Sequence, residues 1–156
     1  MDMIVRKATQ QDDDAVIEVL KQFAEQQPLG KLQVEAEQYN DHHVRKVLNA
    51  VRTGGLLLIA QDKEQIAGVF MAVVTPDIWV PSMRIMSELV WWVNPQHRDS
   101  SAGLRLLKEY TKIGEQMVNK GDISTFTMTL LENSPKINLE KRGWTPIESN
   151  YVFGEK

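Results

Sequence analysis

The most constraining feature is a strand-like run, Arg84 to Val93, that stops at Asn94-Pro95 and leads into the best helical pattern of the chain. Proline fixes its own backbone and biases the residue before it away from helix, so the strand ends there. From about Ala102 to Asn119, the residues Gly103, Leu106, Leu107, Tyr110, Ile113, Gly114 and Met117 share one face, and Gly121 closes the helix. Ile123 to Leu131, rich in threonine and apolar residues, is predicted to be a strand. Strand, helix and strand in this order predict a parallel, right-handed crossover. That unit commits the chain to a mixed α and β architecture.

The other elements are arranged around it. Ile4 to Ala8 is a short extended candidate. Thr9, with Asp12 three positions on and Asp13 and Asp14 behind it, marks a helix start whose negative charge suits the first turn. Ala15, Val16, Val19, Leu20 and Phe23 give that helix one buried face, and Pro28 and Gly30 interrupt it. A more polar helix is predicted from about Glu35 to Arg52, with Val44, Val47, Leu48 and Val51 as its stripe. Leu56 to Gln61 and Gln65 to Thr75 read as a hairpin across Asp62, Lys63 and Glu64. Pro76, Asp77, Trp79 and Pro81 form a rigid loop before the Arg84 strand. A short helix from about Ser134 to Arg142 and a last strand from Thr145 to Phe153 complete the order β-α-α-β-β-β-α-β-α-β. One continuous domain, residues 1–156, is expected, since no repeat, linker or biased tract divides the chain.

Composition narrows the function classes. The 156 residues contain no cysteine, which excludes a disulfide framework, a thiolate metal site and a cysteine nucleophile. Lys and Arg number 18 against 21 Asp and Glu, a net charge of −3, so no global positive field draws in nucleic acid. The apolar runs Gly55 to Ala60 and Ala67 to Val74 are too short to cross a bilayer, and Met1 to Arg6 lacks the order of a signal peptide. A cytoplasmic domain is the expectation, with no membrane and no nucleic-acid partner.

The chemistry is concentrated in Val93-Asn94-Pro95-Gln96-His97-Arg98-Asp99-Ser100-Ser101-Ala102-Gly103-Leu104. This turn joins a strand to the amino end of a long helix through small residues. Backbone N–H groups and the helix dipole there make an anion site suited to a phosphate or pyrophosphate, to which Arg98 can add a charge-assisted bond.

Arg98-x-x-Ser101-x-Gly103 resembles the acetyl-CoA signature of the GNAT N-acetyltransferase superfamily, whose pattern is Arg or Gln, two residues, Gly, one residue, then Gly or Ala. Ser101 stands where the first glycine usually sits, and serine tolerates fewer backbone shapes. The order of elements resembles the family across nearly the whole chain. Leu139-Glu140-Lys141-Arg142-Gly143-Trp144 is similar to the family's aromatic-glutamate-lysine-x-glycine-aromatic ending, with Leu139 in place of the tyrosine that often serves as general acid. Glu88-Leu89-Val90-Trp91-Trp92-Val93 also resembles small acetyltransferases of tailed phages. The resemblance implies an α/β (α+β) fold: a mixed, mostly antiparallel sheet with a central parallel strand-helix-strand crossover and helices on both faces. It implies acetyl-CoA as cosubstrate, bound by Arg98, Asp99, Ser100, Ser101, Ala102 and Gly103. A backbone N–H at Trp92 or Val93 would then contact the thioester, with direct transfer and no covalent enzyme intermediate.

The resemblance also points to Glu88, because a glutamate nearby is the general base in some members. A surface carboxylate and an anchor for a substrate ammonium are the other readings of this residue. Tyr110 and Tyr151 are the candidates for the acid, although Tyr110 sits on an apolar stripe and reads as core. His97 precedes the phosphate turn and reads either as a group near the cofactor or as a solvated loop histidine. His42 and His43 are adjacent on a helix and point apart, which predicts no shared metal site. Trp79, Trp91 and Trp92 cluster around the expected acceptor cleft, and strand alternation lets at most one of Trp91 and Trp92 line it. Asp12 to Asp14 reads as a helix-start charge cluster. Two functions are thus expected to compete. One is acetyl transfer to a primary amine, on a small molecule, a peptide amino terminus or a protein lysine, by a monomer or homodimer. The other is a catalytically silent module of the same fold that binds a partner protein.

Overall fold

Alternation along the strands sets the architecture. The structure, a computed structural model, describes residues 3–26, 41–132 and 134–154. Its strands are β1 (Met3–Lys7), β2 (Leu56–Asp62), β3 (Gln65–Pro76), β4 (Arg84–Val93) and β5 (Thr125–Thr127), and its helices are α1 (Asp13–Gln26), α2 (Asp41–Gly54) and α3 (Ala102–Lys120). The sheet runs β1-β2-β3-β4-β5 in sequence order. The first three pairings are antiparallel, and β4 and β5 are parallel, joined by α3. The predicted parallel crossover is therefore present, at the edge of the described sheet.

One face of the sheet, with Leu58, Phe70, Met86 and Trp91, packs on Leu106, Leu107 and Tyr110 of α3. The other, with Ile59, Val69, Met71 and Trp92, packs on Val16, Leu20 and Phe23 of α1 and Leu48 and Val51 of α2. Successive strand residues point to opposite faces, so runs such as Leu56 to Ala60 are apolar throughout because both faces are covered.

The helix start at Thr9 is more than a charge cluster. A single 3-10 turn, Gln10–Asp12, precedes α1, and the Asp12 carboxylate accepts the Thr9 N–H at 2.7 Å. Arg6 of β1 donates to both Asp12 oxygens at 2.9 Å, while Asp13 pairs with Arg52 and Asp14 with Arg45. The three acids tie α1 to β1 and α2. The Arg6 guanidinium holds the Asp12 carboxyl down to about 2.

Several expected boundaries move. The strand predicted over Ile123 to Leu131 is reduced to Thr125–Thr127. The helix predicted over Ser134 to Arg142 is reduced to a 3-10 turn, Glu140–Arg142, because the Ser134 hydroxyl instead bonds back to the Leu131 N–H. The last strand, Thr145 to Phe153, does not form among the described residues: Pro146 lacks an N–H, and Ile147, Tyr151 and Phe153 are exposed. Of the polar helix predicted from Glu35, the part before Asp41 lies outside the described residues, as do Pro28 and Gly30.

Gly68 is required by a close approach. A Cβ on Gly68 would lie 2.7 Å from the Trp92 carbonyl oxygen and 3.1 Å from Leu106 Cδ1. Backbone cannot yield as a side chain does, so Gly68→Ala should destabilise the fold by about 1–3 kcal/mol in urea unfolding.

Candidate functional site

β4 faces β3 with one irregularity. Val90 lies opposite Met71 and Glu88 opposite Ala72, leaving Leu89 as an extra residue. Such a bulge bends the strand and re-aims a side chain. Strict alternation back from Trp92 would send Glu88 to the α1–α2 face. The bulge instead registers it with Ala72 of the α3 layer. Residue spacing leaves this facing open by one step, and Leu89 closes it.

On its other side β4 is paired with β5 only from Ile85 to Ser87. Beyond that point the strands part, and side chains take over the backbone groups. Thr129 donates its N–H to Glu88 Oε1 at 2.8 Å. The Tyr110 hydroxyl donates to the Thr127 carbonyl at 2.7 Å and lies 3.4 Å from the Met86 carbonyl. The outer edge of Leu89 to Val93 therefore has no neighbouring strand among the described residues.

Desolvation by partial burial pushes the Glu88 carboxyl up to about 7, and the Thr129 N–H offsets only part of that. Glu88 can therefore gain or lose a proton near neutrality. Burial, and then the Glu88 charge, hold the Tyr110 hydroxyl well above its ordinary value, so it stays protonated. Tyr110 is fully buried core, as its apolar stripe predicts, and Tyr151 is exposed.

The small-residue turn follows β4. A 3-10 turn, Pro95–His97, leads to Ser101, the residue before α3. The Ser100 N–H bonds the His97 carbonyl at 3.0 Å, and the Ala102 N–H bonds Ser100 Oγ at 3.2 Å. The first backbone bond into α3 runs from the Arg105 N–H to Ser101 at 2.9 Å. The N–H groups of Asp99, Ser101, Gly103 and Leu104 are left without a backbone partner among the described residues. This donor set, at the positive end of a long helix, fits a diphosphate.

Gly103 has a packing role as well: a Cβ there would sit 2.9 Å from Pro135 Cβ. Arg98 is partly engaged. Its Nε donates to the Val93 carbonyl at 3.2 Å, and its guanidinium lies 4.7 Å from the centre of the Trp92 ring. Its two terminal nitrogens remain for a ligand.

His97 departs from the solvated reading. Its side chain is largely buried, with Nε2 3.5 Å from Asp62 Oδ2 and Nδ1 buried without a partner. Trp91 and Trp92 are both core, on opposite faces; Trp91 Nε1 bonds the Gly103 carbonyl at 3.1 Å and Trp92 Nε1 bonds Asn94 Oδ1 at 3.2 Å. Trp79 is exposed in the β3–β4 loop. Sequence reasoning did not single out Thr129 or Pro135, which meet Glu88 and Gly103 only through the fold. Among the described residues no cluster of His, Asp and Glu could hold a metal ion, and no helix is long and apolar enough to cross a membrane.

The fold is that of the GNAT acetyltransferases. An acetyltransferase of Trypanosoma brucei matches with a TM-score of 0.69 and 16% identity, over 97% of this chain and 99% of that one. A transcriptional regulator of Bacillus halodurans matches with 0.69 and 16%, over 97% and 98%. A predicted acetyltransferase of Clostridium acetobutylicum, solved with acetyl-CoA, matches with 0.65 and 14%, over 97% of each chain. No family model and no curated protein matches the sequence.

The Glu88 environment has a consequence for stability. The folded state keeps this proton up to about 7, whereas 4.5 is the ordinary value, so between these the folded state binds more protons. Stability should therefore fall as pH rises from 4.5 to 7. Glu88→Gln keeps an acceptor for Thr129 and removes the half-buried charge. In urea unfolding it should be more stable than the wild type at pH 8, by about 1–2 kcal/mol, and nearly equal at pH 4.

Proposed function

We propose that this protein is an acetyl-CoA-dependent N-acetyltransferase that acetylates a primary amine by direct attack in a ternary complex. The observation that carries this reading is the Glu88 carboxyl, able to exchange a proton near neutrality, at the point where β4 and β5 part in a sheet of GNAT fold.

Acetyl-CoA, when bound, supplies the acetyl group already activated as a thioester. The free N–H groups of Asp99, Ser101 and Gly103 at the start of α3 would hold its diphosphate, with the Arg98 terminal nitrogens beside them. Ser100 and Ala102 hold the turn in shape, since their own N–H groups are taken up within it. The unpaired edge at Trp92 and Val93 supports the expectation that backbone there meets the acyl end of the cosubstrate.

Glu88 would take the proton that an attacking ammonium must lose. A base is most useful when its proton affinity is close to the working pH, and desolvation brings Glu88 there. The buried, fully engaged Tyr110 hydroxyl and the exposed Tyr151 leave protonation of the departing thiolate to solvent. The acceptor class is a primary amine.

Calorimetry with acetyl-CoA tests the cosubstrate. Ser101→Asp, which brings a negative charge to the turn, should weaken binding by about 10–100-fold, and weaken acetyl-pantetheine, which lacks the diphosphate, much less. No binding by the wild type would leave the partner-binding module in its place. For the chemistry, an amine screen read by mass spectrometry supplies the acceptor. Glu88→Gln should then lower kcat by about 10²–10⁴-fold with acetyl-CoA affinity nearly intact. Wild-type activity should rise with pH through about 7, where Glu88 loses its proton, and the variant should lack that limb. A raised acceptor KM with kcat little changed would make Glu88 an ammonium anchor instead.

A further inference from the structure

We propose that Tyr110 is a positioning residue: its hydroxyl, bonded where β4 and β5 part, holds the Thr129 N–H on the Glu88 carboxylate. The proposal rests on the reading of Glu88 as the group that takes the proton.

Tyr110 reaches the junction from α3, across the sheet face. Its ring is fully buried against Phe70 at 4.3 Å between centroids, Phe126 of β5 at 5.6 Å and Trp144 at 6.3 Å. The hydroxyl is thereby fixed in place. It donates at 2.7 Å to the carbonyl of Thr127, the last residue of β5 that pairs with β4, and also lies 3.4 Å from the Met86 carbonyl of β4. Two residues on, the Thr129 N–H turns to Glu88. Nothing else in the ladder fixes Thr129, because the strand pairing has ended at Thr127. The hydroxyl thus anchors the segment that presents this donor.

Among the described residues no charged side chain contributes to the proton affinity of Glu88. Tyr110 is the titratable group that interacts with it from α3, β3 places Ala72 opposite it, and the segment after β5 contributes the Thr129 N–H. A change in the position of that one donor is therefore felt directly by the carboxyl. Removing the hydroxyl alone should let Thr129 drift and leave Glu88 holding its proton more tightly.

The test is a pH titration of the Glu88 carboxyl by carbon-13 NMR in the wild type and in Tyr110→Phe, which keeps the ring and loses one oxygen. The wild-type midpoint, about 7, should rise by about one pH unit in Tyr110→Phe. Exchange of the Thr129 amide should become at least about ten-fold faster, since its local opening is no longer restrained. The rising limb of the pH–rate profile should move with the midpoint. Trp144→Phe loosens the same ring stack without touching the hydroxyl, and should leave the midpoint where it is. A folded Tyr110→Phe with an unchanged Glu88 midpoint overturns the proposal, as does an equal shift in Trp144→Phe. The titration needs no turnover: a wild type inert toward acetyl-CoA overturns the acetyltransferase reading, while the midpoint decides the coupling of Tyr110 to Glu88.

Discussion

The candidate site depends on the handover of hydrogen bonds where β4 and β5 part. Two parallel strands that diverge leave backbone donors and acceptors without their ladder partners, and those groups must find side chains or water instead. Here the Glu88 carboxylate takes the Thr129 N–H and the Tyr110 hydroxyl takes the Thr127 carbonyl. The opening is thus held by side chains from a bulged strand and from the covering helix. Partial burial also desolvates Glu88, which is why its proton affinity moves toward neutrality.

Both faces of the sheet hold the neighbouring turn. On the α3 side, Trp91 Nε1 bonds the Gly103 carbonyl, fastening β4 to the first turn of the helix. On the α1–α2 side, Trp92 bonds Asn94, whose Nδ2 reaches the Ile66 carbonyl at 2.7 Å, and Arg98 lies over its ring. A buried indole must place its N–H, and here the two placements pin the turn from opposite sides. The free N–H groups at the start of α3 are consequently presented by a braced backbone, which lowers the ordering cost of holding an anion.

Much of this was legible along the chain. The periods of the strands and helices, the Asn94-Pro95 stop, the Gly121 cap and the small-residue turn are local signals, and the structure has them where they were expected. Gly121 has φ +81° and closes α3, as its place after the apolar stripe predicts. The elements after β5 were less legible. Thr125 to Leu131 has strand composition throughout, yet the strand ends at Thr127 because its next donor goes to a side chain of another element. Residues 145–153 alternate enough to suggest a strand, but a strand also needs an edge to pair with, and composition carries no record of one.

The sequence by itself determined the crossover, the small-residue turn into α3 and the two apolar layers, because each follows from periodicity or from backbone chemistry within a few residues. The tertiary structure alone decided which face Glu88 takes, since one extra residue at Leu89 is visible only as a register shift against β3. It also decided the proton affinity of Glu88, the burial of His97 beside Asp62, and the packing of Pro135 on Gly103. These depend on desolvation and contact between segments far apart in the chain, which local patterns do not encode.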